Sequence, residues 1–347
     1  MSRTGVAGKW LCALAGALAA LFLGGPPAPL ASQQPSARTH VLIVSGVGGD
    51  SARSERFTRL ALEASAALRT RFLVEDSLIT VLAERTARDP HIIRERSTRD
   101  ALRAALERMA ARAQPNERVL LIYIGHGSAQ SGRPQLALVG PDVSAPELAT
   151  MLAPIRATTI AVVLAASASG DFVKPLAGPG RIILSATKSG AEQNESLFAE
   201  HFVGALGADA ADGDKDQRVS LLELFTYTRR EVARIYEATN RLLTEHAVLE
   251  DNGDGIGHAD ASATTADGPI ANGITINRVG TVAATKDPRA APFVRRREDL
   301  QRQIDSLRTR RDRLSSAEYD RQLEDLVVQL AQVNRALRDT LGLPRKP

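Results

Sequence analysis

Two stretches constrain the fold more than anything else in the chain: Val119–Ser128 (VLLIYIGHGS) and Thr159–Phe172 (TIAVVLAASASGDF). Each is a run of apolar and β-branched residues that stops abruptly at small polar residues and glycine, the pattern of a buried strand that opens into a loop. Strands with no polar alternation need cover on both faces, which a parallel sheet flanked by helices supplies. His40–Val44, Leu78–Leu82 and Arg181–Ser185 read as further strands. Between them, Ser51–Arg71, a helix capped by Ser97 or Thr98 and running to Arg112, Pro146–Leu152 begun by Ser144, and Ser196–Leu206 carry apolar residues at helical spacing. Strands alternating with helices predict βαβ units and a mostly parallel sheet. Adjacent parallel strands then bring His126 and Ser167 to one sheet edge, the carboxyl end where α/β proteins place their chemistry.

The glycine-rich turn Ser45–Asp50 lacks the third glycine of a dinucleotide fingerprint and reads as a tight βα turn. A hydrophobic share of 44% over 347 residues is ample for a core, and with only 4% aromatics that core is built from Leu, Val, Ile and Ala. The formal charge of +4 comes from arginines interleaved with acids, and no basic patch alternates with aromatics, which argues against nucleic-acid binding. The single cysteine is Cys12, so the rest of the chain has no thiol chemistry, disulfide or Cys-ligated metal.

Cys12 lies in a leader. Arg3 and Lys9 precede the apolar run Trp10–Leu23, followed by Gly24-Gly25-Pro26-Pro27 and small residues to Ala31. This layout predicts a secretory signal peptide over 1–31, a linker over 32–39, and export to the periplasm or beyond, with no integral span after cleavage. Retention as an uncleaved membrane anchor is the alternative.

A strand ending in His-Gly followed by a strand ending in small-Cys-x-Ser-Gly is the paired signature of the caspase-like cysteine peptidases, the clan of caspases, metacaspases, gingipains and legumain. Tyr123-Ile124-Gly125-His126-Gly127-Ser128 resembles legumain most closely, while Ala166-Ser167-Ala168-Ser169-Gly170 places Ser167 where the clan has its cysteine. Arg181–Ser185, Ala186-Thr187-Lys188 and Glu195-Ser196 look like the next strand and the substrate-pocket loop. The resemblance covers about residues 40–206. It implies a three-layer caspase-like α/β domain, with His126 supplying the leaving-group proton and Gly127 lying in the oxyanion region. A serine at this position needs a hydrogen-bonded base oriented by a third group, and loss of that activation costs on the order of several powers of ten in rate. Ser167 also lacks both glycines of a G-x-S-x-G elbow, and Asp171 is the candidate third group. The expectation is therefore a non-catalytic pseudopeptidase acting as a binding or scaffold module. The alternative is a peptide or ester hydrolase using a His126/Ser167 dyad.

The stretch Asp212–Glu223 carries a second candidate site. Asp212, Asp214 and Asp216 stand at loop positions one, three and five, Arg218 offers its backbone at seven, Ser220 stands at nine and Glu223 at twelve. This is the EF-hand spacing that wraps oxygens around Ca²⁺. Gln217 occupies the position where that loop needs glycine, and the preceding helix ends early, at Leu206. A long helix, Leu221–Ala238, follows. Glu250, Asn252 and Asp254 echo the motif without a twelfth-position acid and read as a turn; Glu245, His246 and His258 have no metal-ligand spacing. The α/β domain is expected over 40–258, then a loop-rich linker over 259–292 with one strand at Gly273–Val279. Over 293–341, two apolar rows, Leu300-Ile304-Leu307-Leu314 and Leu323-Leu326-Leu330-Val333-Leu337, predict a helical hairpin or coiled coil. Ser315 and Glu318 form a capping-box start between them. Protein partners are the expected ligands of these helices.

Overall fold

The structure is a computed structural model that describes residues 38–129, 132–216, 218–276, 289–309 and 314–340. Residues 1–37, where the signal peptide and most of the linker over 32–39 are expected, lie outside the described residues. Among the described residues, no helix is long and apolar enough to cross a membrane.

The predicted alternation holds. In order, the elements are β1 (Thr39–Ser45), α1 (Ser51–Thr70), β2 (Ile79–Ala83), β3 (Ile93–Arg96), α2 (Arg99–Arg112), β4 (Arg118–Gly125), β5 (Gly127–Ser128), β6 (Gln135–Leu136), β7 (Val143–Ser144), α3 (Ala145–Leu152) and β8 (Thr159–Ala166). They continue with α4 (Val173–Leu176), β9 (Arg181–Ser185), α5 (Phe198–Gly207), α6 (Leu221–Ala238), β10 (Val248–Glu250), α7 (Pro269–Gly273), α8 (Ala291–Thr309) and α9 (Ser316–Thr340). The main sheet has seven strands in the order β10-β9-β8-β4-β1-β2-β3, all parallel except β10.

Alternate residues of β4 face opposite cores. Leu120, Ile122 and Ile124 meet Phe57, Leu60 and Phe202 on the side of α1, α5 and α6. Val119, Leu121 and Tyr123 meet Leu102, Leu106 and Leu148 on the side of α2, α3 and α4. The fold is thus a helix–sheet–helix sandwich followed by two C-terminal helices, and both faces of the strands are dry, as their unbroken apolar runs require. Chain direction across the sheet reverses between β1 and β4. The loops that leave the carboxyl ends of these two strands therefore frame the crevice in which open α/β sheets bind ligands.

Two expected features differ. Gly273–Val279 is not a strand up to Ile276: Pro269 starts the short helix α7, and only Thr275 pairs, in a single antiparallel bridge with Ser220. Residues 277–279 lie outside the described residues. Proline at the first helical position favours that start, and a lone bridge cannot extend a sheet. The stretch read as a linker also packs inward, since Ala271 and Ile276 are buried in the α1/α5/α6 core.

The amino end of the sheet is fastened by a buried carboxylate. Glu117 receives Arg38 Nε on Oε1 at 2.6 Å and lies 2.8 Å from His40 Nε2 through Oε2, which also accepts the Gln114 amide at 3.0 Å. Burial pushes this carboxyl up, but the Gln114 amide, His40 and Arg38 outweigh it and hold the group at about 2, below its usual 4.5. A carboxyl lowered on folding stabilises the fold above its unfolded value and loses that contribution as pH falls from 4.5 toward 2. Glu117→Gln is expected to cost about 2 kcal/mol in urea unfolding at pH 7. The gap between variant and parent should close as the pH is lowered to about 2.

Candidate functional site

The pairing of β4 with β8 sets Gly125 beside Ala166, so His126 and Ser167 leave adjacent strands side by side. Their side chains have different partners. The His126 ring is half-buried, meets the edge of Phe57 at 5.1 Å and 72°, and shares a backbone hydrogen bond with Gly48. Burial lowers its pKa; the Gly48 bond and Asp50 act in the opposite sense, while Arg53 and Arg56 lower it further. The ring is thereby held as neutral imidazole at pH 7. Arg53 and Arg56 both pair with Glu195, and Arg53 also with Asp50.

Ser167 is 4% exposed. Its Oγ accepts the Gly127 amide at 3.3 Å and donates to the Gly127 carbonyl at 3.2 Å, and no hydrogen bond joins it to the His126 ring. Gly127 has no alternative residue here, because a Cβ would stand 2.2 Å from the Ser167 carbonyl oxygen. Tyr123 holds the turn from beneath through its hydroxyl, which donates to the carbonyls of His126 (2.9 Å) and Ala137 (2.8 Å).

The loop after Ser167 is over-determined. Ala168 adopts a left-handed conformation (φ 51°), which costs a residue with a Cβ about 1 kcal/mol. Its amide is held by the Glu192 carbonyl at 2.8 Å. Ser169 Oγ is fully buried and bonds the Ala166 carbonyl and Ser185 Oγ, each at 2.8 Å, while Thr187 Oγ1 accepts the Gly170 amide at 3.0 Å. Asp171 is exposed and, among the described residues, makes no hydrogen bond or ion pair, with His126 or any other group. A groove of about 600 Å³ opens beside Gly170 and Asp171, walled by Pro134, Lys174, Lys188 and Ile256. Neither His126 nor Ser167 lines it.

Two acids tie this edge to distant chain: Glu192, which sequence reasoning passed over, and Glu245, which it considered only as a metal ligand. The Glu192 carboxylate accepts the Lys188 and His246 amides (3.1 and 3.0 Å) and pairs with His246 Nδ1 at 2.5 Å. Buried Glu245 caps the start of α5, accepting the Leu197 amide at 2.8 Å. Only an acid adjoining a histidine marked Glu245-His246 in the sequence, and no spacing pointed to Glu192.

In the acidic loop, the carboxylates of Asp212, Asp214 and Asp216 converge within 4.8 Å of one another. Burial first, then Asp214 and Asp212, push the Asp216 carboxyl up to about 7. Glu223 turns elsewhere: Oε1 accepts the Gly213 amide at 2.9 Å, and Oε2 joins Ser220 in the capping box of α6. Arg218 donates its amide to Asp216 at 2.7 Å. Three of the six expected ligand positions therefore gather, while Ser220 and Glu223 serve the helix start. Positive φ falls at Lys215 (58°); Gln217 lies outside the described residues. Glu250 faces inward and caps its own turn through the Gly253 amide (2.6 Å), as a turn reading expects.

No family model matches the sequence, and no curated protein matches it. Among solved structures, a protein of Geobacter sulfurreducens aligns at 13% identity and a TM-score of 0.37, over 56% of this chain and 89% of that one. The Drosophila initiator caspase Dronc aligns at 11% identity and a TM-score of 0.39, over 64% of this chain and 82% of Dronc.

Proposed function

We propose that the chain is an exported caspase/legumain-like domain that has lost peptidase chemistry and acts as a non-catalytic binding or scaffold module for protein partners. The observation that carries this reading is the saturation of Ser167 Oγ by the Gly127 backbone, away from the His126 ring. A serine is activated through a hydrogen bond to its base, and this hydroxyl is committed to an amide and a carbonyl instead. Export rests on the leader pattern over 1–31, and the absence of a basic, aromatic-studded surface argues for protein rather than nucleic-acid partners.

A fluorophosphonate probe should leave the protein unlabelled, with no turnover of peptide substrates. Labelling at Ser167 that disappears in Ser167→Ala and weakens in His126→Ala would replace this reading with the hydrolase reading, which the side-by-side placement of the two residues favours. Ser167→Cys tests ancestry separately: gain of iodoacetamide-sensitive cleavage would show that the rest of a peptidase site is still built.

The same reading includes one Ca²⁺ in the 212–223 loop. Its support is the one-three-five spacing of the aspartates together with their convergence. Three crowded carboxylates repel one another, and a divalent cation would relieve that repulsion.

A further inference from the structure

A second cavity, of about 300 Å³, lies between the start of α5, one face of α6 and the segment that leads into β10. Thr226, Arg229, Arg230 and Ala233 recur three and four residues apart, so α6 turns a single face to it. Phe198, Val232, Ala233, Leu243, Ala247 and Ala259 make its apolar walls, and neither His126 nor Ser167 lines it. Leu243, 39% exposed, carries the apolar lining out to solvent. The charged groups on this lining differ in how they are engaged. Glu245 is buried, and its carboxylate accepts the Ser196 and Tyr236 hydroxyls and the Leu197 and Phe198 amides. Arg230 lies over the Tyr227 ring at 5.1 Å and stands 3.7 Å from Glu231, and His246 is held by Glu192 through Nδ1. Arg229, among the described residues, makes no hydrogen bond or ion pair.

We infer that this cavity binds a single-chain aliphatic carboxylate, with its chain on the apolar walls and its head on Arg229. The guanidinium offers parallel N–H donors whose fork matches a carboxylate, and here it has no acid of its own to satisfy. A cationic head would find no available acid on the lining, because Glu245 is spent on the start of α5. A volume of about 300 Å³ is the lower end for small-molecule sites, which leaves room for one aliphatic chain and not for a two-chain lipid. The apolar walls supply affinity in proportion to the chain buried, and Arg229 supplies the choice of head group.

Equilibrium dialysis of radiolabelled hexanoate, octanoate and octanol against the full chain, minus any leader removed on export, tests this. Affinity should rise about fourfold per added methylene from hexanoate to octanoate, the equivalent of ~0.8 kcal/mol per buried CH₂. Octanoate should bind about tenfold more tightly than octanol, and Arg229→Gln, an exposed position, should remove that advantage while leaving octanol unchanged. Ala233→Trp, at a half-exposed position of α6, should fill the cavity and abolish octanoate binding, with urea unfolding to verify that the variant is folded. If that variant does not fold, the comparison of octanoate with octanol in Arg229→Gln still decides. No saturable octanoate binding up to about 1 mM would overturn the inference. So would equal affinities for octanoate and octanol, an octanoate affinity unmoved by Arg229→Gln, or undiminished binding by a folded Ala233→Trp variant.

Discussion

Gly170→Ala is expected to destabilise the α/β domain by about 3–5 kcal/mol, among the largest effects of any single substitution in the chain. A Cβ at this position would lie 2.2 Å from both the Lys188 carbonyl carbon and the Ser189 amide nitrogen, and 2.5 Å from the Lys188 carbonyl oxygen. All three are backbone atoms, so no side-chain rotation relieves the clash. Nor can the Gly170 loop move outward freely. The Gly170 amide is held by Thr187 Oγ1, and Ser169 is anchored in the same buried hydroxyl cluster. Relief requires parting the two loops and leaving buried hydroxyls unpaired, each at a cost of about 1–3 kcal/mol. Gly204→Ala is the matched control: an exposed position in α5 with no atom within 4 Å of an added Cβ. There the same change should stabilise by about 0.5–1 kcal/mol, through helix propensity. Urea unfolding of both variants measures the contrast. A loss at Gly170 no greater than 1 kcal/mol would mean that the loop after Ser167 is looser than its hydrogen bonds imply.

Adding Ca²⁺ should raise the unfolding temperature. At a free concentration of about 100 times the dissociation constant, a ligand bound only by the native state contributes about 2.7 kcal/mol. For a domain of this size that corresponds to a shift of about 5–10 °C. Asp214→Asn keeps the side-chain shape and its bond to the Asp216 amide while removing one charge from the converging set. It should abolish most of the shift, as should Asp212→Ala. Glu223→Ala is expected to act twice, by deleting the twelfth-position ligand of the proposed site and by breaking the α6 capping box, the latter costing about 1 kcal/mol without any ion. Excess EGTA should return the parent to its ion-free melting temperature. A Ca²⁺ shift that survives in both Asp212→Ala and Asp214→Asn would locate the ion elsewhere.

The central strands were legible because burial on both faces leaves a local mark: unbroken apolar runs that stop at glycine. Arg181–Ser185 and Leu221–Ala238 have in the structure the bounds their patterns predict. The strands that escaped notice lack the mark. β3 reads IRER, an edge strand whose charges face solvent, and β10 is three residues long. Charged edge strands resist pairing with other chains, and for the same reason they do not look like strands. Over Gly273–Ile276, the described part of the expected strand Gly273–Val279, the composition misled, because Pro269 starts a short helix that runs to Gly273.

What the sequence alone determined is the layered α/β plan and the arrival of His126 and Ser167 at one sheet edge, since both follow from periodicities a few residues long. It also determined that Cys12 is the only cysteine, which is a matter of counting. The tertiary structure decided how those residues are engaged. Ser167 Oγ meets Gly127 across 40 residues, Glu192 meets His246 across 54, and Glu245 caps a helix start 48 residues away. Such contacts depend on where separate elements dock, and a serine, glutamate or glycine carries no local pattern that names its partner. The strands bring His126 and Ser167 to one edge, but only the docked loops show that the Ser167 hydroxyl is engaged by the backbone of Gly127.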